Sequence, residues 1–257
     1  MRNNAIFYFS GSDPRSHFAA EALRIHGCHV TRQDPEQADV IILPMGEKIS
    51  QELLAKLRPG QVIMGGNLGS ESENGEKYSL RILDYYSDHL LQCANAVPTA
   101  EGAIGLLMEH LPVTIQGSRF LVTGYGRIGS LLAEKLKLLG AKVTASARKD
   151  ADLGRILAAG MRAEYTGHYR KPLDQYDAVI NTVPALVFSA SHYTKLRPDC
   201  LLLELASKPG GFDDALCHAH GLQCVRAPGL PGKCAPKTAG YAIADAILRL
   251  IELEESS

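Results

Sequence analysis

The sequence predicts an α/β protein of two domains, in which a doubly wound parallel sheet follows a smaller N-terminal α/β unit. Three observations predict it. Short β-favouring apolar runs alternate with helical stretches along the chain, a glycine-rich loop joins one such run to one helix, and 257 residues exceed the ~100–200 of a usual domain. At 46% hydrophobic and 21% charged, the composition is that of a folded chain with a sizeable core. Lys+Arg 27 against Asp+Glu 28 gives a net charge of -1, which argues against nucleic acid or a membrane surface as a general partner. No apolar run approaches the ~18–20 residues of a bilayer span, and Ala5 to Phe9 is too short for a signal-peptide core, so a cytoplasmic protein is expected.

Asn4 to Phe9 reads as a strand, Gly11-Ser12-Asp13-Pro14 as a loop, and Ser16 to His26 as a helix ended by Gly27. Val40 to Leu43 and Gln61 to Met64 read as buried strands around a short helix, Ser50 to Leu57. Pro98 is read as an early helix residue, with Ile104, Leu107, Met108 and Leu111 following at helical spacing until Pro112. A second strand series runs Phe120 to Thr123, Lys142 to Ala145, Ala178 to Asn181, Cys200 to Leu205 and Gln223 to Arg226. From Pro236 the chain is helical again, with Ile243, Ile247, Leu250 and Ile251 on one face, and the tail after Glu252 is expected to be disordered. The domains expected are residues 1–96, with helix 236–253 packing back on them, and residues 97–235. The cysteines at 28, 93, 200, 217, 224 and 234 form no Cys-x-x-Cys pair and are read as reduced thiols. Cys217, His218, His220 and Cys224 match no standard zinc spacing, so a polar helix end is expected there and no metal.

The sharpest motif is Gly124-Tyr125-Gly126-Arg127-Ile128-Gly129, directly after one strand and directly before the helix Ser130 to Leu139. Gly124 permits the tight turn, Gly126 lets the backbone approach a pyrophosphate, and Gly129 lets the helix pack closely on the sheet, so that the helix N-terminus faces the phosphates. This context makes the second domain a Rossmann-type fold with a dinucleotide site. An NAD site usually carries an acid ~20 residues after the first glycine. Here the second strand ends in Ser146-Ala147-Arg148-Lys149, a hydroxyl and two cations suited to a 2′-phosphate, so NADP is preferred and NAD is the alternative. Asn181, Thr182, Val183, Pro184 and Ser207 follow later strands at the edge where ligands bind and are further candidate cofactor contacts.

Three segments then carry a resemblance: Asn95-Ala96-Val97-Pro98-Thr99-Ala100-Glu101-Gly102, Leu205 to Gly211 with Ser207-Lys208-Pro209, and Ala227-Pro228-Gly229-Leu230-Pro231-Gly232 leading to Ala235-Pro236-Lys237-Thr238-Ala239-Gly240. In this order around Gly124 they resemble the dipicolinate synthase A subunits closely from Asn95 onward. Earlier, Gly11-Ser12-Asp13-Pro14-Arg15 is similar to the family's Gly-Gly-Asp-x-Arg loop with Ser for the second Gly, and the stretch between residues 43 and 95 is shorter than in a typical member. The resemblance implies oxidation of dihydrodipicolinate, or of the hydroxylated tetrahydro precursor made by dihydrodipicolinate synthase on a branch of the lysine pathway, to dipicolinate with reduction of a nicotinamide cofactor. It also implies, as partner, a flavoprotein-like B subunit in the mother cell of a sporulating bacterium, and a homo-oligomer is compatible with it.

Such a substrate carries two carboxylates, so its site needs cations or helix N-termini at two points. Lys237, at the start of the last helix, stands where a cation opposes the helix dipole; an anion bound there would explain it, and a solvated lysine would tolerate it. Arg15 and Lys208 are the other candidate cations, each also readable as a surface charge, with Asp13 and Thr99 as candidate substrate contacts. Glu101 is the candidate base for the ring proton, although the helix dipole alone favours an acid in a first turn. Two other readings share the architecture. A 2-hydroxyacid or amino-acid dehydrogenase would want a His with an acidic partner in the later loops, where only His218 and His220 stand; a non-catalytic NADP-binding scaffold would need no dyad at all.

Overall fold

The computed structural model of the chain describes residues 5–69 and 78–255. By its internal contacts the chain divides into two units, Met1–Asn95 with Pro231–Ser257, and Ala96–Leu230.

Unit 1 holds a five-stranded parallel sheet in the order β2-β1-β3-β4-β5, built from β1 (Ile6–Phe9), β2 (His29–Thr31), β3 (Val40–Met45), β4 (Val62–Gly66) and β5 (Arg81–Asp84). Asn4, expected to begin the first strand, lies outside the described residues. The central strands β3 and β4 are buried on both faces, which is why they read as unbroken apolar runs. β2 and β5, unanticipated from the sequence, are short edge strands with half-exposed side chains and too little alternation to register.

Helix α1 (Pro14–Ile25) packs on α9 (Pro236–Glu255), which follows the short α8 (Leu230–Cys234), over one face of this sheet. Small residues set their closeness. Ala19, Ala20, Ala22 and Leu23 meet Ile243, Ala244, Ala246, Ile247 and Ile251 in one buried cluster, and a Cβ on Gly240 would press within 2.7 Å of Phe18 Cβ. Each large side chain so buried contributes ~1.5–3 kcal/mol relative to exposure. Beyond Glu252, where a disordered tail is expected, the helix runs on to Glu255, with Glu254 paired to Arg81, and residues 256 and 257 lie outside the described part.

The helix read from Pro98 starts much earlier. Helix α3 spans His89–His110 with Pro98 inside it, after the short α2 (Gln51–Leu54). Its start is fixed by Asp88, whose Oδ1 accepts hydrogen bonds from Leu90 N (2.6 Å) and Leu91 N (3.1 Å) while Oδ2 accepts from Arg249 Nε of α9 (2.7 Å). Burial opposes ionisation of Asp88, but these bonds outweigh it and hold its carboxyl below the ordinary value. Replacing Asp88 by Ala removes the cap and the pair together and is expected to cost ~1–2 kcal/mol, read as a lower urea midpoint, with Asp88→Asn retaining part of the capping. An unchanged midpoint for Asp88→Ala would show that α3 is anchored elsewhere.

Unit 2 holds a six-stranded parallel sheet in the order β11-β10-β9-β6-β7-β8. The strands are β6 (Arg119–Thr123), β7 (Lys142–Ala147), β8 (Arg162–Tyr165), β9 (Ala178–Asn181), β10 (Leu201–Glu204) and β11 (Cys224–Arg226). Relabelled from the first strand of the unit, this is the order 3-2-1-4-5-6 of a Rossmann-type sheet. Helices α4 (Arg127–Leu138) and α5 (Asp150–Ala158) cover Val122, Val143 and Ala145 on one face, while Leu121, Val179 and Leu202 face a second cluster with α6 (Ala190–Tyr193) and α7 (Asp214–Ala219). Cys217 is buried in that cluster and the His220 ring stacks on Tyr193 at 6.2 Å, so this stretch is a packed helix end. No described helix is long and apolar enough to cross a membrane.

Candidate active site

In doubly wound sheets, ligands bind beyond the carboxyl ends of the strands, where the strand order reverses. In unit 2 this point lies between β6 and β9, and the glycine loop leaves β6 there. Gly124 adopts φ +90°, and a Cβ on it would lie 2.6 Å from Thr182 Oγ1 and 2.8 Å from Val183 Cγ2, so the loops after β6 and β9 touch through a glycine. A Cβ on Gly129 would overlap the Gly124 carbonyl, which fixes the close approach of α4 to the turn. A Cβ on Gly126, in contrast, meets nothing within 4 Å. Gly126 is also the N-cap of α4 and brings no side-chain cap, so the first amides of this helix face open space. The turn thus leaves open space at Gly126, the glycine expected to let a pyrophosphate approach.

The next loops are held by a buried polar lattice that sequence reasoning missed. Glu204, 2% exposed, ends β10; its Oε1 accepts from Asn181 Nδ2 (2.7 Å) and Ala206 N (3.0 Å), and its Oε2 from Gly211 N (2.7 Å) and Phe212 N (3.3 Å). Asn181 completes the lattice by accepting from Thr123 Oγ1 (2.6 Å) and Val183 N (3.1 Å) and donating to Val183 O (2.8 Å). Every bonding position of the Asn181 amide is thereby used inside the protein, so its role is to position the loops rather than to touch the cofactor with its side chain. The Ser207–Gly210 turn it supports leaves Ser207 and Lys208 exposed, as it does Pro184 after β9. The only signal for Glu204 in the sequence is an acid closing the apolar run Leu201-Leu202-Leu203 just ahead of Gly210-Gly211.

At the end of β7 the expected residues separate. Ser146 is fully buried and its hydroxyl bonds Thr166 Oγ1 at 3.0 Å, so it does not reach a ribose. Arg148 and Lys149 are exposed, and among the described residues neither enters an ion pair. Asp150, the first acid after β7, accepts from the Tyr165 hydroxyl at 2.5 Å. Tyr125 lies in the core under the Arg155 guanidinium, 5.6 Å from its ring centroid, so it offers its backbone to the loop and its ring to packing. Arg127 is exposed at the helix start, beside half-buried Ile128.

Unit 1 has its own switch point, between β1 and β3. The loop leaving β1 carries Gly11, where a Cβ would meet Pro44 Cγ at 2.7 Å, and ends at Asp13 and Arg15. Arg15 grips Asp13 with Nε (3.0 and 3.1 Å to the two oxygens) and Nη2 (2.5 Å), while Asp13 Oδ1 accepts from Arg15 N at 2.7 Å and caps α1. Burial disfavours both charges, but their mutual hydrogen bonds outweigh it, holding the Asp13 carboxyl below its usual range and the Arg15 guanidinium above. Asp13 therefore orients Arg15 and is not itself an anion ligand. Gly232 lies against this guanidinium, where a Cβ would sit 3.0 Å from Nε, and Gly240 lies against the Arg15 carbonyl. The structure thus brings the first turn of α1 to the segment 232–240, which carries Lys237, exposed and 5.5 Å above the Tyr241 ring. Burial pushes the nearby Tyr85 phenol up, and its hydroxyl donates to Leu43 O at 3.0 Å at the end of β3.

No protein-family model matches the chain. A relative from Bacillus subtilis (strain 168), the A subunit of dipicolinate synthase, is 31% identical over 264 residues, covering 96% of this chain and 88% of that one. The chain belongs to the family of dipicolinate synthase A subunits. A crystal structure of the dipicolinate synthase A subunit from Bacillus halodurans superposes with a TM-score of 0.87 at 28% identity, over 97% of this chain and 98% of that chain. A transhydrogenase from Sinorhizobium meliloti shares the fold at a TM-score of 0.77 and 14% identity, over 98% of this chain and 94% of that one. The reading of one expected site residue, Glu101, is corrected by α3. Because the helix begins at His89, Glu101 is far from the first turn, and it pairs with Lys135 Nζ of α4 at 3.0 Å on the outside of the unit; it is not placed as a base. Thr99, 8% exposed, is buried within the same helix.

Proposed function

We propose that the protein oxidises dihydrodipicolinate, or its hydroxylated tetrahydro precursor, to dipicolinate, with NADP as hydride acceptor, and that it is partnered by a flavoprotein-like B subunit. Membership of the dipicolinate synthase family supports the substrate class. The observation that carries the redox half is the glycine turn at the unit 2 switch point, where Gly126 and the uncapped start of α4 leave space and amides for a pyrophosphate. A nicotinamide held at this turn would supply the hydride acceptor for aromatisation of the ring, which also releases one proton to solvent and, from the hydroxylated precursor, first loses water.

The residues of the chain supply binding and orientation. Arg15, fixed in its fork by Asp13, presents Nη1 without a hydrogen bond among the described residues and is the first carboxylate ligand; Lys237, on the segment packed against Arg15, is the second. Holding both carboxylates fixes the ring and lowers the entropy cost of reaching the reactive pose. Arg148 and Lys149, which enter no ion pair among the described residues, select the 2′-phosphate of NADP. Lys208 and Ser207 stand exposed on the loop that Glu204 holds, at the carboxyl edge beside the cofactor turn.

The test is a coupled assay with freshly made dihydrodipicolinate synthase product, NADP or NAD, and this chain with or without a B subunit, following cofactor reduction and pyridine-dicarboxylate absorbance together. Turnover is the expected result; dinucleotide binding without turnover in both mixtures would replace this reading with a scaffold. In the same assay, Arg148→Ala with Lys149→Ala is expected to raise the NADP Kd at least tenfold and to leave that of NAD within about twofold. Equal losses for the two cofactors would remove the NADP assignment.

A further inference from the structure

We infer that unit 2 carries a second anion site, at the amino edge of its sheet and distinct from the cofactor turn at the carboxyl edge, which takes a small polyanion. A cavity of about 460 Å³ opens there, lined by Arg119, Lys142 and Arg162 at the starts of β6, β7 and β8, and by Lys137 of α4, with Thr144 and Tyr176 beside them. Its volume lies in the ~300–1,000 Å³ range of small-molecule pockets. None of the four cations enters an ion pair among the described residues: Arg119 Nη1 donates to the Gln175 side-chain carbonyl at 3.1 Å, Lys137 to the Ala159 carbonyl, and the side chains of Lys142 and Arg162 make no hydrogen bond to another described residue. Elsewhere in unit 2, Lys135, Arg155, Arg197 and Arg226 each hold a carboxylate.

Fold requirements account for only one of the four. Lys137 occupies the last turn of α4, where the helix dipole favours a cation. Arg119, Lys142 and Arg162 have no such cause. Lys142 and Thr144 alternate with the core residues Val143 and Ala145, and the registers Arg119↔Lys142 and Thr144↔Arg162 put Arg119 and Arg162 with them on the sheet face away from α4. There Thr144 and the buried Tyr176 line the cavity beneath its cationic rim. The acids nearby are already engaged. Glu164 accepts from Arg170 N at 3.1 Å, and Asp177 accepts from Arg119 N at 2.6 Å and from Arg197 at 2.7 Å. In a chain of net charge -1, four cations outside ion pairs outnumber the two acids here and give this cavity a positive potential, and Arg forks match carboxylate and phosphate oxygens alike.

The test titrates the full chain with two probes, inorganic pyrophosphate and pyridine-2,6-dicarboxylate, at constant ionic strength, by calorimetry and by the amide NMR shifts of Lys142 and Arg162. Lys142→Gln with Arg162→Gln, both exposed positions, is expected to weaken at least one probe tenfold or more, which is ~1.4 kcal/mol, with dinucleotide affinity and thermal midpoint unchanged. Lys171→Gln with Lys195→Gln, which removes equal charge elsewhere on the unit, should leave the titration as in the parent chain. Whichever probe responds identifies the source as a phosphate compound or an organic dicarboxylate. Identical titrations for the parent and the Lys142/Arg162 variant, or an equal loss in the Lys171/Lys195 variant, would overturn the inference.

Discussion

Gly129→Ala is expected to abolish dinucleotide binding, weakening it by a hundredfold or more (~2.7 kcal/mol), and to lower the stability of unit 2 by ~1–3 kcal/mol. The added Cβ falls on the Gly124 carbonyl and lies 3.0 Å from Thr182 Oγ1, so backbone rather than a flexible side chain must give way. Helix α4 can relieve the overlap only by moving off the turn, which withdraws its amides from the phosphates. Gly126→Ala is the informative companion. Its Cβ points into open space at φ -84° and ψ -163°, which any residue adopts, so the thermal midpoint should stay within a degree or two of the parent. Dinucleotide titration should nevertheless show a loss of tenfold or more, because the methyl occupies the place where the pyrophosphate approaches. Unchanged binding in Gly126→Ala would show that the turn is not the phosphate cradle.

The parts of this molecule legible in its sequence are those where one residue type has a local cause. The strands β3, β4, β6, β9 and β10 are apolar because both faces are covered, and Gly124, Gly126 and Gly129 are glycines because of one turn. Non-local causes leave no such mark. The start of α3 does carry a local mark, Asp88 capping Leu90 and Leu91, but Pro98 masks it by pointing to a later turn; what holds Asp88 from outside is Arg249, 161 residues away in the chain. Asn181 and Ser146 sit where cofactor ligands usually sit, yet one is saturated by Glu204, Thr123 and Val183 and the other by Thr166, pairings that only the folded sheet creates. Glu101 reads as a base only from the same misplaced helix start; its partner Lys135 lies on another helix. Arg15 is the converse case, a residue singled out by its loop that the fold then supplies with a fork, a fixed geometry and a glycine neighbour.

For Arg15→Met we expect the KM for the dicarboxylate substrate to rise by a hundredfold or more while dinucleotide affinity, a property of unit 2, stays as in the parent. The guanidinium is 13% exposed and already oriented, so the ion-pair geometry a carboxylate needs is formed before substrate arrives, and methionine keeps the packing volume while deleting the charge. Arg15→Lys should recover only part of the loss, because an ammonium cannot hold Asp13 and a substrate oxygen in one plane. The same pair sets a pH dependence whose sign is fixed by the depressed carboxyl of Asp13. Its contribution to stability is present above the ordinary Asp value of ~3.9 and is lost as pH falls through the lower folded value, since protonated Asp13 no longer pairs with Arg15. The parent chain should therefore lose stability on acidification below about pH 4 more steeply than Arg15→Met, in which position 13 has no cation to lose. Parallel acid unfolding curves would detach Asp13 from Arg15 energetically. An unchanged KM in Arg15→Met would move the substrate away from the switch point of unit 1 altogether.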